Sequence, residues 1–249
     1  MKNKNMSFLT YLILILVIIF LILNKAISNG NYTCNNYILN VYLYVALAFS
    51  LVAFTVNQLN NHKVIVNSNY KMYMFVLFIV TIASIIGIHF LDNIYITNFL
   101  WFVLIISFAV SLYPMYLILS NENIFMKTLI SVVFIVLILT TIAFLKPEYI
   151  SLSWGSGLLV ALTCGIIIQL VQYFIGGASS KFNLLLSYFF VLLFSLYLLY
   201  DTKVLQVKAA NCKNMLNTLK IYPNYPRESL GIILDILNLF TNLGNINRR

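Results

Sequence analysis

Two aspartates in the last quarter of this 249-residue chain are the residues best suited to chemistry. Asp201 ends the apolar segment FSLYLLYDTK, and Asp235 lies within PRESLGIILDILNLFTNL. Asp235 is about nine residues, or about 14 Å of helix, from both Pro226 and Gly244. If that helix spans the bilayer, Asp235 lies near its middle, where an isolated carboxylate is costly and usually functional.

A pair of such carboxylates has a chemistry that neither has alone. Two carboxylates held close together in a low-dielectric site cannot both ionise cheaply, so they share a proton. Loss of that proton would make the two charges repel each other and would offer oxygen ligands to a hard cation such as calcium. If Asp201 and Asp235 face each other, they predict a pH-controlled gate. Taken singly, Asp201 has a simpler interpretation as an interfacial carboxylate, and Asp235 as part of an amphipathic helix lying in the interface.

Other polar residues accompany Asp235 along one face of its helix. Gly231, Asp235, Asn238 and Asn242 follow one another at spacings of four, three and four residues. This spacing predicts a single stripe of small and polar side chains. A spanning helix would turn that stripe away from lipid, towards other helices or a water-filled path.

The remaining polar residues of the apolar segments carry less information. Tyr197, one turn before Asp201, and His89 are accessory candidates for the same site, His89 because its titration range suits a pH sensor. Gln169 and Gln172, three residues apart, are typical of hydrogen bonds between helices, although they would also suit a cavity wall. The sequence contains no glycine-rich nucleotide loop, His/Cys metal spacing or Ser/His nucleophile pattern, and we therefore expect no enzymatic activity.

The composition requires a membrane to position these residues. Hydrophobic residues make up 62% of the chain and charged residues 8%, against about a quarter charged in a soluble domain. We therefore predict an all-α, multi-pass integral membrane protein whose partner is the lipid bilayer. The net charge of +9 lies in loops and tails, and no soluble domain is left to bind nucleic acid.

Eight apolar runs approach the roughly 20 residues that a membrane-spanning helix needs. They are 8–27, 38–58, 70–91, 97–119, 125–145, 155–175, 183–203 and 227–244, and a polar link at 204–226 separates the last two. We expect 8–27 to remain as an uncleaved helix, although Ala26-Ile27-Ser28 has the spacing of a signal-peptidase site.

The basic residues of the loops leave the membrane orientation open. If all eight runs cross, the side of the N-terminus carries eight of them: Lys2, Lys4, Lys63, Lys71, Lys127, Lys181, Arg248 and Arg249. The opposite side carries seven: Lys25, Lys146, Lys203, Lys208, Lys213, Lys220 and Arg227. The positive-inside rule cannot separate these two numbers.

The cysteines are three in number and far apart. Cys34, Cys164 and Cys212 predict neither a disulfide framework nor a metal cluster. Cys164 lies inside an apolar run, and we expect it to be a packing residue because free cysteine behaves as a small buried hydrophobe.

Two segments of the chain resemble a known family. FSLYLLYDTK at 194–203 and LDILNLFTNL at 234–243 are similar to the signature segments of the transmembrane Bax inhibitor motif (Bax inhibitor-1) family. That family has a Tyr-Asp pair closing its penultimate helix and a Leu-Asp-Ile-Ile-Asn-Leu-Phe run in its last helix. Looser similarity covers 107–120 and 155–203.

The resemblance implies a fold and an orientation. Residues 35–249 are expected to form a seven-helix membrane domain in which the last helix is central. Residues 1–34 are left as an additional N-terminal transmembrane helix. The family's orientation would place the link 204–226 in the cytosol.

The resemblance also implies a function. It predicts a pH-sensitive calcium leak, as a channel or an exchanger, with Asp201 and Asp235 as the two-aspartate site that shares protons and binds calcium. The expected location is an internal membrane such as the endoplasmic reticulum, a bacterial envelope or a virion membrane. Regulation of cell death, with membrane-protein partners, is associated with eukaryotic and viral members. Some members have an arginine late in the second helix that pairs with the last aspartate, whereas this chain reads IGIHFLDNI there and offers only His89.

Two alternatives belong to other functional classes. The chain could keep the family's fold as a non-conducting structural or regulatory membrane protein, including one of viral origin, and the missing arginine and the extra helix favour this. An intramembrane aspartyl protease would also use two aspartates, and Tyr200-Asp201 fits half of that signature. The other half requires Gly-x-Gly-Asp, whereas the chain has Ile232-Ile233-Leu234-Asp235 and no Pro-Ala-Leu segment.

Overall fold

The computed structural model describes residues 2–28, 30–62, 70–175 and 180–248, and these are almost entirely helical. Eight α-helices follow one another: α1 Lys2–Leu23, α2 Tyr37–Asn61, α3 Tyr70–Phe90, α4 Ile94–Asn121, α5 Phe125–Leu145, α6 Trp154–Ile175, α7 Ser180–Leu219 and α8 Tyr225–Asn247. A short antiparallel hairpin, β1 Ile27–Ser28 and β2 Asn31–Tyr32, and a 3-10 turn at Pro147–Tyr149 are the other regular elements of the described residues.

Seven of the helices, α2 to α8, are long and apolar enough to cross a membrane. The prediction of an all-α, multi-pass membrane protein is therefore confirmed. α1 is the additional N-terminal helix and packs against α2. It ends at Leu23, earlier than the predicted boundary at 27, because Lys25 adopts a left-handed backbone (φ 49°) and the chain turns into the β1–β2 hairpin.

The penultimate helix is much longer than the sequence predicts. The segment 204–226 was expected to be a polar link, but α7 continues through it to Leu219 and leaves only 220–224 outside a helix. Neither proline nor glycine occurs between Asp201 and Pro223 to break the helix. It ends where Lys220 takes a left-handed conformation (φ 55°). At about 60 Å, α7 is twice as long as the hydrocarbon core is thick.

The chain divides into two compact units, and unit 1 comprises Met1–Tyr116 and Lys208–Leu230. Its interior contains a cluster of aromatic residues around the start of α8. The Tyr225 ring, fully buried, packs edge-on against Tyr32 and Tyr37 at centroid distances of 5.2 and 5.6 Å. The Trp101 indole N–H donates a hydrogen bond of 3.1 Å to the Ser229 hydroxyl.

Unit 2 comprises Leu117–Val207 and Gly231–Arg249. The rings of Phe125 on α5 and Phe240 on α8 meet at 6.1 Å. The Asn247 amide donates to the Thr128 hydroxyl at 3.0 Å, and the Gln206 amide of α7 donates to a main-chain carbonyl of α5 at 3.0 Å. These contacts join α5 to both α7 and α8, the two helices that carry Asp201 and Asp235.

Helix α8 is the least apolar of the seven candidate spans and also the most buried. Its mean hydropathy is 1.3, and half of the residues in its most apolar window are buried, a larger share than in any other span. The polar residues of α8 are therefore accommodated by protein.

Both predictions about the cysteines are wrong. Cys34 and Cys212 form a disulfide across 178 residues of chain, a pairing that spacing alone cannot reveal. Cys164 is a free thiol that is exposed on α6, not buried. In a membrane-spanning helix an exposed apolar side chain meets lipid, so burial in protein is not required of it.

Candidate functional site

The two aspartates predicted as a pair line the same cavity in unit 2. It has a volume of about 370 Å³ and is bounded by α6, α7 and α8. Its polar lining consists of Gln169, Tyr197, Asp201, Asp235, Asn238 and Asn242. Its remaining lining consists of Leu162, Ile166, Phe190, Phe194, Gly231 and Leu234.

Each of the three helices contributes side chains at regular helical spacing. On α8 the lining residues Gly231, Asp235, Asn238 and Asn242 are four, three and four residues apart, and they form the stripe that the sequence predicts. On α7 the residues 190, 194, 197 and 201 repeat the same spacing, and on α6 the residues 162, 166 and 169 repeat its first part. Such spacings place each set on one face of its helix.

Asp235 is the most buried acidic residue of the site. Only 4% of its surface is exposed, and its Oδ2 atom has no hydrogen-bond partner within the described residues. A buried carboxylate oxygen is costly to leave without a partner unless the group is protonated or meets a cation. The position of Asp235 therefore suits a proton or cation site better than a purely structural one.

Asp201 approaches α8 one turn before Asp235, at Gly231. A Cβ atom built on Gly231 would lie against the Asp201 Oδ2 atom and 2.9 Å from its Cγ atom. Only a glycine leaves room for the carboxylate at this point of α8. The sequence places Gly231 in the polar stripe but cannot show which side chain it accommodates.

Asn238 and Asn242 line the cavity, and their amide nitrogens are bonded to their own helix. The Asn238 Nδ2 atom donates to the Leu234 carbonyl at 2.8 Å, and the Asn242 Nδ2 atom donates to the Asn238 carbonyl at 2.9 Å. Because the amide nitrogens are engaged by their own helix, the Oδ1 atoms remain as the groups that could bind a cation. Calcium accepts such amide oxygens together with carboxylates.

The accessory candidates have different outcomes. Tyr197 lines the cavity beside Asp201, and so does Gln169, for which hydrogen bonding between helices was the stronger expectation. His89 is an exposed residue of unit 1, and its Nδ1 atom lies 3.0 Å from the Ile85 carbonyl of its own helix. The structure does not include His89 in the cavity lining.

Two phenylalanines of the lining, Phe190 and Phe194, were not among the sequence-based candidates. They stack on one another with ring centroids 5.9 Å apart. The signal for them was present, because Phe190, Phe194, Tyr197 and Asp201 have the same spacing as the stripe on α8. Aromatic residues at helical spacing usually indicate only a core, so the pattern alone could not single them out.

The charge of the lining is entirely negative. The residues of the described chain that line the cavity include no lysine, arginine or histidine. The described residues also contain no group of three or more His, Cys, Asp or Glu side chains that could hold a metal ion. If each carboxylate and each asparagine amide supplied one oxygen, a calcium ion would have four protein ligands instead of its usual six to eight, and water would supply the rest; bidentate binding by both carboxylates would raise the number to six.

The chain matches a known protein family. The family model described as "Inhibitor of apoptosis-promoting Bax1" matches residues 34–247. The chain shows no significant match to a curated protein. The matched range includes the helices α2 to α8 and every residue that lines the cavity.

Proposed function

Since the chain belongs to the Bax inhibitor-1 family, we propose that it is a pH-sensitive calcium leak, as a channel or an exchanger, gated by Asp201 and Asp235. The coarser part of this statement, a Bax-inhibitor-like multi-pass membrane protein, rests on the family match and the seven apolar helices. The ion, the gate and its pH dependence are the proposal.

One observation carries the proposal. Two acidic side chains from different helices line a single cavity that contains no basic residue of the described chain, and one of them is almost fully buried. Such a pair is expensive to keep doubly ionised without a cation, so proton sharing or cation binding is the natural way to stabilise it.

The pair can act as a gate through charge alone. In acid, a proton shared between Asp201 and Asp235 holds the two carboxyl groups together and leaves few oxygen lone pairs for a cation. When that proton is lost, the carboxylates repel each other and become ligands, with Asn238 and Asn242 supplying further oxygens. Cation passage then depends on pH without any residue outside the cavity changing its charge.

The experiment is calcium flux into proteoliposomes between about pH 5 and pH 8, the range in which an interacting carboxylate pair can titrate. We expect the unaltered protein to conduct with a clear dependence on pH. Asp201→Asn and Asp235→Asn each remove the shared proton and one charge, and we expect both to abolish that dependence. Asp92→Asn is the matched control, because Asp92 is an acidic residue with a side chain that is 98% exposed.

The results have distinct meanings. If either variant in the cavity keeps the pH profile of the unaltered protein while Asp92→Asn also keeps it, the pair is not the gate. If the two cavity variants conduct at a rate independent of pH, the pair is the pH sensor. Replacement of calcium by an impermeant cation in the same assay shows whether calcium itself is moved.

A non-conducting regulatory protein is the second candidate, and one observation favours it. The chain has the additional helix α1, outside the matched range, and most described side chains of α1 are exposed apolar residues. Such a helix can pack against another membrane protein. Absence of flux at every pH, together with a partner that co-purifies in a fixed ratio and is lost when α1 is deleted, would support this candidate over the leak. Either function, in an internal membrane, offers a route to modulating cell death.

A further inference from the structure

The disulfide between Cys34 and Cys212 constrains how the chain crosses the membrane. Cys34 lies between β2 and α2, and Cys212 lies on the part of α7 that the sequence assigned to a polar link. Their Cα atoms are 5.8 Å apart, within the usual range for a disulfide. Both residues belong to unit 1.

Non-covalent contacts hold the same part of unit 1 in place. The Tyr225 hydroxyl donates a hydrogen bond to the Thr33 carbonyl, next to Cys34. The Thr33 hydroxyl donates to the Lys25 carbonyl at 2.7 Å, and the Asn40 amide donates to the Asn35 carbonyl at 2.8 Å. The loop that carries Cys34 is therefore held by its own contacts, and the disulfide joins it to α7 at Cys212, a residue that is only 5% exposed.

The positions of the two cysteines agree with the number of membrane crossings. Six candidate spans, α2 to α7, separate Cys34 from Cys212 along the chain. An even number of crossings returns the chain to the side on which it began, so both thiols reach the same compartment. Two cysteines on opposite sides of the membrane could not be joined.

A disulfide also reports the chemistry of that compartment. Disulfides form and persist in the lumen of the endoplasmic reticulum, in the periplasm and at the cell surface, whereas the cytosol keeps thiols reduced. We propose that Cys34 and Cys212 form a covalent clasp in an oxidising compartment, so that the segments 24–36 and 220–224 lie on the extracytosolic side of the membrane. This orientation is opposite to the one that the family resemblance implies for the link between the last two helices.

The disulfide determines the membrane orientation of the chain, which the loop charges leave open. The side of Cys34 and Cys212 carries seven basic residues and the other side eight if all eight predicted runs cross, which leaves the positive-inside rule without a decision. The disulfide assigns the compartment directly. Seven candidate spans follow Cys34, and an odd number of crossings places the C-terminus in the cytosol.

Formation of the clasp requires a disulfide-bonded oxidoreductase of the oxidising compartment. The thiolate of one cysteine attacks the disulfide of that protein, and a mixed disulfide forms as one sulfur of the oxidoreductase leaves as a thiolate. The second cysteine thiolate then attacks the mixed disulfide, which completes the Cys34–Cys212 bond and releases the other sulfur. Two cysteines lose two electrons and two protons, and the oxidoreductase disulfide gains them as a dithiol.

Thiol counting in intact cells tests whether the clasp forms. Cells that express the full chain are treated with a permeant maleimide, which blocks free thiols such as Cys164. The denatured protein is then labelled with polyethylene-glycol maleimide, with or without prior reduction. We expect no adduct without reduction and two adducts after it, from Cys34 and Cys212.

Single substitutions separate the clasp from incidental oxidation. Cys34→Ser should lose both adducts, because Cys212 is then free and becomes blocked in the cell. Cys164→Ser should keep both, since Cys164 is outside the disulfide. Absence of adducts after reduction of the unaltered protein would overturn the proposal, because it would mean that the thiols are reduced in the cell.

Orientation is measured on sealed vesicles whose cytosolic face points outward, from cells that express the chain with a C-terminal tag. A membrane-impermeant phosphine reductant should leave the disulfide intact, and protease should remove the tag. After permeabilisation the same reductant should open the disulfide. Opening of the disulfide in sealed vesicles, or protection of the tag, would overturn the assigned orientation.

Discussion

Replacement of Gly231 by alanine tests the central feature of the cavity, the approach of Asp201 to α8. The added Cβ would lie 2.9 Å from the Asp201 Cγ atom, whereas carbon atoms in favourable contact are about 3.5–4.0 Å apart. The Cγ atom must therefore recede by at least roughly 0.6–1.1 Å, and the Oδ2 atom, which lies nearer still to the added Cβ, must turn away or the helices must part. Overpacking of this kind costs about 1–3 kcal/mol.

Gly157→Ala is the matched control, since a Cβ at Gly157 meets no atom within 4 Å. Both glycines lie inside helices, and alanine improves helix propensity by about 1 kcal/mol at either position. The gain is common to the two variants, so their difference isolates the steric term of about 1–3 kcal/mol. In a chain of this size each kcal/mol lowers the unfolding temperature by roughly 2–4 °C.

The assay combines thermal unfolding in detergent with calcium flux in proteoliposomes. We expect Gly231→Ala to unfold at a lower temperature than Gly157→Ala. We also expect its flux to approach that of Asp201→Asn, because the carboxyl group is displaced from the cavity. Equal unfolding temperatures for the two variants, with identical pH profiles of flux, would refute the close approach of Asp201 to α8.

Two further predictions concern unit 1, and both use thermal unfolding. Tyr225→Phe removes a hydroxyl that donates to the Thr33 carbonyl and accepts from the Asn40 amide at 3.4 Å. The Asn40 amide keeps its bond to the Asn35 carbonyl, so the loss is mainly that of one hydrogen bond and should be about 0.5–1.5 kcal/mol; a change below about 0.5 kcal/mol would contradict this. Lys208→Gln breaks an ion pair with Glu228 at 2.6 Å, but the lysine side chain is 45% exposed, so we expect a loss of at most about 1 kcal/mol. A larger loss, or one insensitive to salt, would mean that the pair is shielded from water.

The sequence was sufficient for the main features of the fold and for the set of α8 residues that line the cavity. Long apolar runs determine membrane helices, because every backbone polar group in the bilayer must be satisfied within its own segment. The stripe from Gly231 to Asn242 follows from spacing alone, and the structure places all four of its members in the cavity lining. Helical periodicity shows which polar residues share one face of a helix. The polar face of α8 is therefore the part of the site that could be predicted.

Features that depend on contacts between distant segments could not be predicted. The Cys34–Cys212 disulfide closes 178 residues of chain, and three cysteines offer several pairings that spacing cannot distinguish. The extension of α7 to Leu219 was missed because the segment is polar. Hydropathy identifies helices that face lipid, but it does not identify a helix that continues outside the membrane. The absence of proline and glycine before Pro223 was the signal that would have corrected it.

The burial of α8 explains why its sequence allowed two interpretations of Asp235. A helix lying in the interface would expose its polar face to water, whereas only 4% of Asp235 and 8% of Asn242 are exposed. Other membrane helices meet lipid over much of their surface and must be apolar there, but a helix surrounded by protein is free of that requirement. The low hydropathy of α8 is thus compatible with its burial. When one candidate span is much less apolar than the others of the same chain, its polar residues are reasonable candidates for the polar interior of the membrane protein.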